Sequence, residues 1–214
     1  MHNSQPWRFR LSGGTVEVRL DVGRLPAVPA RGWAGRVSCG AAVFNLRMAL
    51  AVLGKPAAVV VQPLDRDRDV VALLLPDDPR PASGAERALC AAIARRHSNR
   101  MPFSAEAVPA ELRSRLLEAA RAEGGWLDLI IGTSAVDALA EVVNAASRVL
   151  VTATDAGLAV SMLSRPIEVP AARERLRSAL GRHGVPQMVL RIGYGHPGYP
   201  SLRRPAASVI DRPA

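Results

Sequence analysis

A run of basic and polar residues lies near the middle of the chain, at positions 95–100, where the sequence is Arg-Arg-His-Ser-Asn-Arg. Planar guanidiniums donate paired hydrogen bonds to phosphate oxygens, and a serine hydroxyl between them adds a further donor. This combination within a few residues predicts a site for a phosphate dianion. Taken alone, the same run also fits a solvated basic loop.

Three other segments carry groups that could complete such a site. Positions 2–7 have the sequence His-Asn-Ser-Gln-Pro-Trp, and their amides suit the edge of a ring or a row of hydroxyls. Pro166-Ile167-Glu168 and the basic pair Arg203-Arg204 follow later in the chain. Taken alone, the first segment also fits a turn with an aromatic anchor. No spacing is typical of a Ser/His/Asp or Cys/His hydrolase, and no catalytic side chain is predicted.

The composition predicts a folded chain. With 214 residues, 49% of them hydrophobic, it can build one or two domains with a sizeable core. The longest apolar run, near 70–75, is far shorter than the roughly 18 residues of a spanning helix, and no basic-then-apolar leader opens the chain. We therefore expect a cytoplasmic protein that binds no membrane. Cys39 and Cys90 lack the spacing of a zinc site or disulfide framework, so we expect buried free thiols and no metal.

The formal net charge of +9 raises the question of nucleic-acid binding. Apart from positions 95–100 and the pair Arg203-Arg204, the arginines are scattered singly along amphipathic helices, as on solvated faces. Aromatic residues make up 4% of the chain, which is too few for the stacking platforms of single-strand binders. The sequence therefore favours no nucleic-acid partner.

The first half has local signals for the elements that would position these residues. Alternating residues on either side of Ser12-Gly13-Gly14 predict a hairpin of strands 7–11 and 15–20. Apolar spacing from Ser38, the predicted N-cap, to Leu53 predicts a buried helix. Later elements are two strands covered on both faces, 59–61 and 70–75, and a helix to Arg95 that opens with a capping box of Ser83 and Glu86.

The second half has weaker signals. Proline at the first position predicts a helix over 109–122, and a polar-faced helix over 170–180 is ended by Gly181. A third predicted helix runs from Ser134 to Ala156, where Gly157 stops it. Predicted strands cover 127–131 and 187–194. The tail after Gly195 is expected to wrap over the surface.

Two of the segments resemble the FMN-dependent nitroreductase family. There, an Arg-x-Ser-x-Arg/Lys stretch followed by Phe holds the FMN phosphate, and residues 96–100 with Phe103 fit it. An Asn-x-Gln-Pro-Trp element reaches the same flavin from the partner subunit, and residues 3–7 match every specified position. The order of the two motifs is similar to the internally duplicated, Acg-like branch, in which a dimer has become one chain around one flavin.

The remaining segments also resemble the family. Its Pro-Ile-Glu-Gly element brings main-chain N–H groups towards flavin N5, and this chain has Val169 in place of the glycine. A late basic pair after a strand ending Gly-Tyr-Gly adds charge at the phosphate. The resemblance implies these cofactor-binding residues: Asn3, Ser4, Gln5, Arg96, Ser98, Arg100, Pro166, Ile167, Glu168, Arg203 and Arg204.

The resemblance implies an α+β, nitroreductase-like fold of two degenerate halves, 1–83 and 84–214, with a central antiparallel or mixed sheet and long buried helices. It implies an oxidoreductase that uses FMN and NAD(P)H, by ping-pong hydride transfer, to reduce small nitroaromatic or quinone-like acceptors. The chain would be a monomer with pseudo-dimer architecture, or a homodimer. The alternative hypothesis is a protein of the same fold that binds and sequesters FMN without significant turnover. Relative to the branch, the chain is expected to be shortened at its N-terminus and in its second half.

Overall fold

The computed structural model of the chain describes residues 4–25, 31–61, 67, 69–99, 101–125, 127, 129, 145–163, 167, 169–181, 186, 188–195 and 202–211. The chain divides into two compact units, Met1–Ala91 with Ser201–Ala214, and Ala92–Pro200. We call them unit 1 and unit 2. The predicted halves, 1–83 and 84–214, describe a proposed duplication rather than these units, and they stay a prediction.

The structure has seven strands and five α-helices in its described residues. In chain order they are β1 (Trp7–Ser12), β2 (Thr15–Leu20), α1 (Arg31–Val52), β3 (Ala57–Val61), β4 (Val70–Pro76), α2 (Gly84–Arg95), α3 (Ala110–Arg121), α4 (Ala145–Asp155), β5 (Ala159–Met162), α5 (Pro170–Ala179), β6 (Leu190–Gly193) and β7 (Ile210–Asp211).

Unit 1 is built on a five-stranded mixed sheet with the order β3-β4-β2-β1-β7. The pairing of β1 with β7 is parallel, and the other pairings are antiparallel. The predicted hairpin is confirmed as β1 and β2. Gly13 and Gly14 form its two-residue turn with φ of 55° and 81°, as a type I′ turn requires. The mixture of helices with a mixed sheet agrees with the predicted α+β class.

Helix α1 packs against β2 and β4, and its buried residues join those of the sheet in one core. The predicted start of this helix was wrong. Ser38 lies inside α1, where its hydroxyl donates to the carbonyl oxygen of Ala34 at 3.0 Å, a back-bond available to serine in a helix.

Strand β3 also corrects the sequence-based expectation. It lies at one end of the sheet order, and Val60 and Val61 are 40% and 51% exposed, so β3 is not covered on both faces. A run of β-branched residues occurs in edge strands as well as in central ones, and the sequence alone did not separate the two cases.

Unit 2 contains α3 and α4, which pack on each other, and the antiparallel pair of β5 and β6. Its core joins both helices to β5 through buried residues that include Leu116, Val149 and Val160. Pro109, predicted at the first position of α3, lies one residue earlier at the N-cap position, where its carbonyl oxygen accepts from the N–H of Arg113 at 3.0 Å. Gly157, with φ of 73°, follows the end of α4. Most of the predicted strand 127–131 and the predicted helix start at Ser134 lie outside the described residues.

Helix α2 opens with the predicted capping box. The N–H of Glu86 donates to the Ser83 hydroxyl at 3.1 Å, and the N–H of Ser83 donates to the Glu86 carboxylate at 2.7 Å. Within the described part of the chain, no helix is both long enough and apolar enough to cross a membrane.

Candidate functional site

The N-terminal amide motif leads directly into β1. Asn3 lies outside the described residues, and Ser4 is half-buried, with its carbonyl oxygen accepting a hydrogen bond from Arg24 Nε at 2.9 Å. Gln5 is 8% exposed and has a φ of 45°, in the left-handed region that residues other than glycine rarely adopt. The motif is therefore a fixed piece of backbone, and something must hold Gln5 in this conformation.

The C-terminal tail provides that restraint. Gln5 Nε2 donates to the carbonyl oxygen of Leu202 at 3.3 Å, and the N–H of Arg204 donates to Gln5 Oε1 at 2.9 Å. The Arg204 guanidinium in turn donates to the carbonyl oxygens of Gln5 at 2.9 Å, Trp7 at 3.4 Å and Ser208. We call this group of hydrogen bonds the tail latch. Two predicted flavin ligands, Gln5 and Arg204, are thus engaged with each other.

Further contacts extend the latch along β1. The N–H of Phe9 donates to the carbonyl oxygen of Val209 at 2.7 Å, and Arg8 forms an ion pair with Asp211 at 2.7 Å. The pKa of Arg204 is lowered, first by burial and then by the positive charge of Arg24. The carbonyl dipoles of the tail latch offset the free-energy cost of burying this cation. The described tail residues, 202–211, are therefore tied to β1 by side-chain and backbone hydrogen bonds, and most of them are exposed, as expected of a tail that wraps over the surface.

The basic run of unit 2 begins at the C-terminal end of α2. Arg95 lies in the last turn, and the N–H of Arg96 still bonds the carbonyl oxygen of Ala92 at 2.9 Å. A helix C-terminus carries partial negative charge, which stabilises cations there but does not attract an anion. A phosphate at this place would therefore be held by side chains, chiefly the guanidiniums and the Ser98 hydroxyl. Arg100 lies outside the described residues.

Beyond the helix, the run is attached to β5 and to the residues that follow β6. Ser98 forms an isolated parallel bridge with Val160, and Phe103 forms an antiparallel bridge with Gly195. The Phe103 ring lies against Gly195, where an added Cβ would be 3.0 Å from the ring. Residues 96–104, which we call the basic loop, therefore have both ends fixed in unit 2.

Arg191 of β6 braces the same loop. Its Cζ lies 4.1 Å from the centroid of the Phe103 ring, and its Nη2 donates to the carbonyl oxygen of Met101 at 3.1 Å. Asn99, in the middle of the run, is only 1% exposed. Neither Arg191 nor Asn99 was among the predicted site residues. Asn99 occupies an unspecified position of the motif, and Arg191 is a single cation in a short strand.

The Pro-Ile-Glu segment is described only at Ile167, which is 2% exposed. Val169 follows as the N-cap of α5, with extended backbone and a side chain that is 50% exposed. Pro166 and Glu168 lie outside the described residues. Among the residues that are described, no group of three or more His, Cys, Asp or Glu could hold a metal ion.

The predicted ligands thus fall into two clusters. Ser4, Gln5, Arg203 and Arg204 belong to unit 1, whereas Arg96, Ser98 and Ile167 belong to unit 2. Arg203 is exposed, and its neighbour Arg204 is half-buried in the latch. That one flavin uses both clusters stays a prediction from the sequence.

Comparison with known proteins supports the resemblance. No family model matches the chain. The whole chain aligns, at 27% identity over 308 positions, with 88% of a Mycobacterium tuberculosis protein named "Putative NAD(P)H nitroreductase", in each of two strains. The alignment is longer than the chain and so contains gaps opposite it. An uncharacterized protein of the same organism is 32% identical over 108 residues, which cover 48% of this chain and 31% of that protein. The full-length similarity supports a relationship to nitroreductases.

Proposed function

We propose that the chain is an FMN-dependent NAD(P)H oxidoreductase of the nitroreductase type that reduces small nitroaromatic or quinone-like acceptors. The observation that carries this proposal is the basic loop. Its arginines and serine have the spacing of a phosphate-binding motif, and its ends are fixed by backbone pairing in unit 2. The full-length similarity to a protein named as a nitroreductase also supports it.

The phosphate ligands in this proposal are Arg96, Ser98, Arg100 and Arg203. Two guanidiniums and a hydroxyl from one loop match the donors that a phosphate dianion accepts. We assign Arg203 rather than Arg204, because the Arg204 guanidinium already donates to three carbonyl oxygens of the latch. Arg204 then acts indirectly, by holding the tail that carries its neighbour.

The amide motif is proposed to contact the ring and the ribityl chain through Asn3, Ser4 and Gln5. A glutamine amide has two N–H donors, and Gln5 uses one of them on Leu202, so a second remains chemically able to serve a ligand. Main-chain N–H groups of 167–169 are proposed to lie near the ring. Ile167, buried at 2% exposure, would anchor that segment.

Bound FMN supplies the redox chemistry, a hydride accepted from NAD(P)H and two electrons passed to the acceptor. The protein's own share is to bind the phosphate, to orient the ring and to place N–H donors beside it. The proposal requires no side chain as general acid or base. We further propose that Val169, which is 50% exposed and stands where the family has glycine, restricts which acceptors approach.

The test begins with the visible absorption spectrum of purified protein, recorded before and after incubation with FMN and desalting. NAD(P)H oxidation is then measured with menadione and with nitrofurazone. The double variant Arg96→Ala/Arg100→Ala removes two proposed phosphate ligands. Its matched control is Arg113→Ala/Arg121→Ala on α3, which removes the same charge from residues outside the basic loop.

We expect wild type to retain the flavin band and to oxidise NAD(P)H in proportion to bound FMN. Loss of two charged donors should weaken FMN binding by at least about a hundredfold, since each is worth roughly tenfold or more. The control double variant should bind as wild type does. Retained FMN without turnover would instead support the sequestering hypothesis, and a protein that does not bind FMN would refute both.

A further inference from the structure

Asn99 is the most deeply buried of the described residues of the basic loop. It is 1% exposed, and its Oδ1 accepts a hydrogen bond from the N–H of Met101 at 2.8 Å. An asparagine that bonds the N–H two residues ahead forms an Asx turn, which fixes the local chain direction without secondary structure. The side chain therefore acts on the conformation of its neighbours rather than on solvent.

The backbone and amide nitrogen of Asn99 fix the loop to its surroundings. Its N–H donates to the carbonyl oxygen of Val160 at 2.6 Å. Its Nδ2 lies 3.0 Å from the position that a Cβ on Gly195 would occupy, so the amide packs against that glycine. Asn99 thus connects β5 with the segment that follows β6, and it does so between two residues of the phosphate motif.

We infer that Asn99 is the positioning residue of the phosphate-binding loop. It fixes the backbone that carries Ser98, and it acts through the loop rather than through the ligand, because its side chain is 1% exposed and bonded to the N–H of Met101. Arg191 supports the same loop conformation from β6. This inference rests on the proposed function, and it adds that the preference for a phosphorylated flavin depends on a residue outside the phosphate contacts.

A positioning role makes a distinctive prediction about ligands. FMN and riboflavin share the ring and the ribityl chain, and only FMN carries the phosphate. If Asn99 positions the phosphate donors, its loss weakens the binding of FMN and leaves riboflavin binding unchanged. If Asn99 merely supports the fold, the affinities for both flavins fall together.

The experiment measures the dissociation constants of FMN and riboflavin by quenching of flavin fluorescence. Asn99→Leu has nearly the same shape but lacks every hydrogen bond of the amide. Asn99→Ser keeps a hydroxyl that can accept from the N–H two residues ahead, more weakly than an amide does. Val149→Ala is the control, since Val149 is equally buried in unit 2 but packs with α3 and α4. Thermal unfolding is recorded for every variant.

We expect Asn99→Leu to weaken FMN binding about tenfold, as for one lost charge-assisted hydrogen bond, with riboflavin binding within about twofold of wild type. Asn99→Ser should lie between wild type and Asn99→Leu, and Val149→Ala should lower the Tm without changing the ratio of the two affinities. If the ratio of FMN affinity to riboflavin affinity in Asn99→Leu stays at the wild-type value, whether both affinities are unchanged or both fall equally, the inference is overturned. If the wild-type protein binds neither flavin, the proposed function itself is refuted. That result differs from one in which the wild type binds FMN and the Asn99 variants behave otherwise than expected.

Discussion

The tail latch predicts that two adjacent arginines have opposite roles. Replacing Arg204 by methionine keeps most of the apolar stem and removes the guanidinium that bonds the carbonyl oxygens of Gln5, Trp7 and Ser208. Replacing Arg203 by methionine removes the same charge one position earlier, on an exposed side chain. The pair is therefore matched in composition and charge.

The expected cost follows from the geometry of the Arg204 contacts. The bond to Gln5 at 2.9 Å is well formed, the one to Trp7 at 3.4 Å is long, and the third joins Ser208. A hydrogen bond from a charged donor contributes about 1.5–3 kcal/mol when buried, and partial exposure reduces this. We expect Arg204→Met to lower the free energy of unfolding by about 2–3 kcal/mol. Arg203→Met should change it by about 0.5 kcal/mol or less, as for a typical surface residue.

The assay combines urea unfolding, followed by circular dichroism, with hydrogen exchange of the peptide that contains Phe9. That N–H donates to Val209, so its exchange reports directly on whether the tail stays attached. Arg204→Met should accelerate this exchange, and Arg203→Met should not. For FMN, Arg203→Met should weaken binding with little loss of stability. Equal destabilisation by both substitutions, or unchanged exchange in Arg204→Met, would refute the latch as described.

Two further predictions concern titratable groups. The pKa of Glu86 is lowered to about 2 by hydrogen bonds, first from Arg80 and then from the Ser83 backbone, so its stabilising contribution is complete above about pH 4.5 and is lost as the pH falls towards 2. Because Arg80 is exposed, we expect Glu86→Gln to cost about 1 kcal/mol at pH 6 and nothing near pH 2, measured by urea unfolding across that range. Burial raises the pKa of the Cys39 thiol to about 12, whereas Cys90 is half-buried on α2. Native protein at pH 8 should therefore react with a thiol reagent at Cys90 first, and a Cys90→Ser variant should react only on unfolding; rapid labelling of that variant in the native state would contradict the burial of Cys39.

Features with local causes were predictable from the sequence. The hairpin follows from alternation around Gly13 and Gly14, and the capping box at Ser83 follows from the spacing of two side chains within one turn. The start of α1 was misplaced because serine is tolerated inside a helix when it bonds the preceding turn, as Ser38 does. Local chemistry permits serine both at the N-cap and inside a helix, and the packing of α1 decides between the two positions.

Features that depend on distant contacts were not predictable in this way. Strand β7 has two residues and pairs with a strand about two hundred positions earlier, so it leaves no periodic signal. The hydrogen bonds from Arg204 to carbonyl oxygens were not predictable for the same reason. An arginine side chain suits a phosphate equally well, and only contacts with residues far away in the sequence show which one it binds. The motifs predict which segments carry the proposed ligands, whereas the contacts of each residue within a segment depend on the fold.

The different contacts of the arginines change how the formal net charge of +9 should be interpreted. Several arginines have carboxylate partners, with nitrogen–oxygen distances of 2.6–3.2 Å at Arg8, Arg19, Arg80, Arg115 and Arg177. Others serve the backbone or a ring. Cations paired in this way contribute less to counterion release than their number suggests, because their fields are locally compensated. The net charge is therefore a poor guide to partners, and the spacing of donors on an anchored loop is a better one.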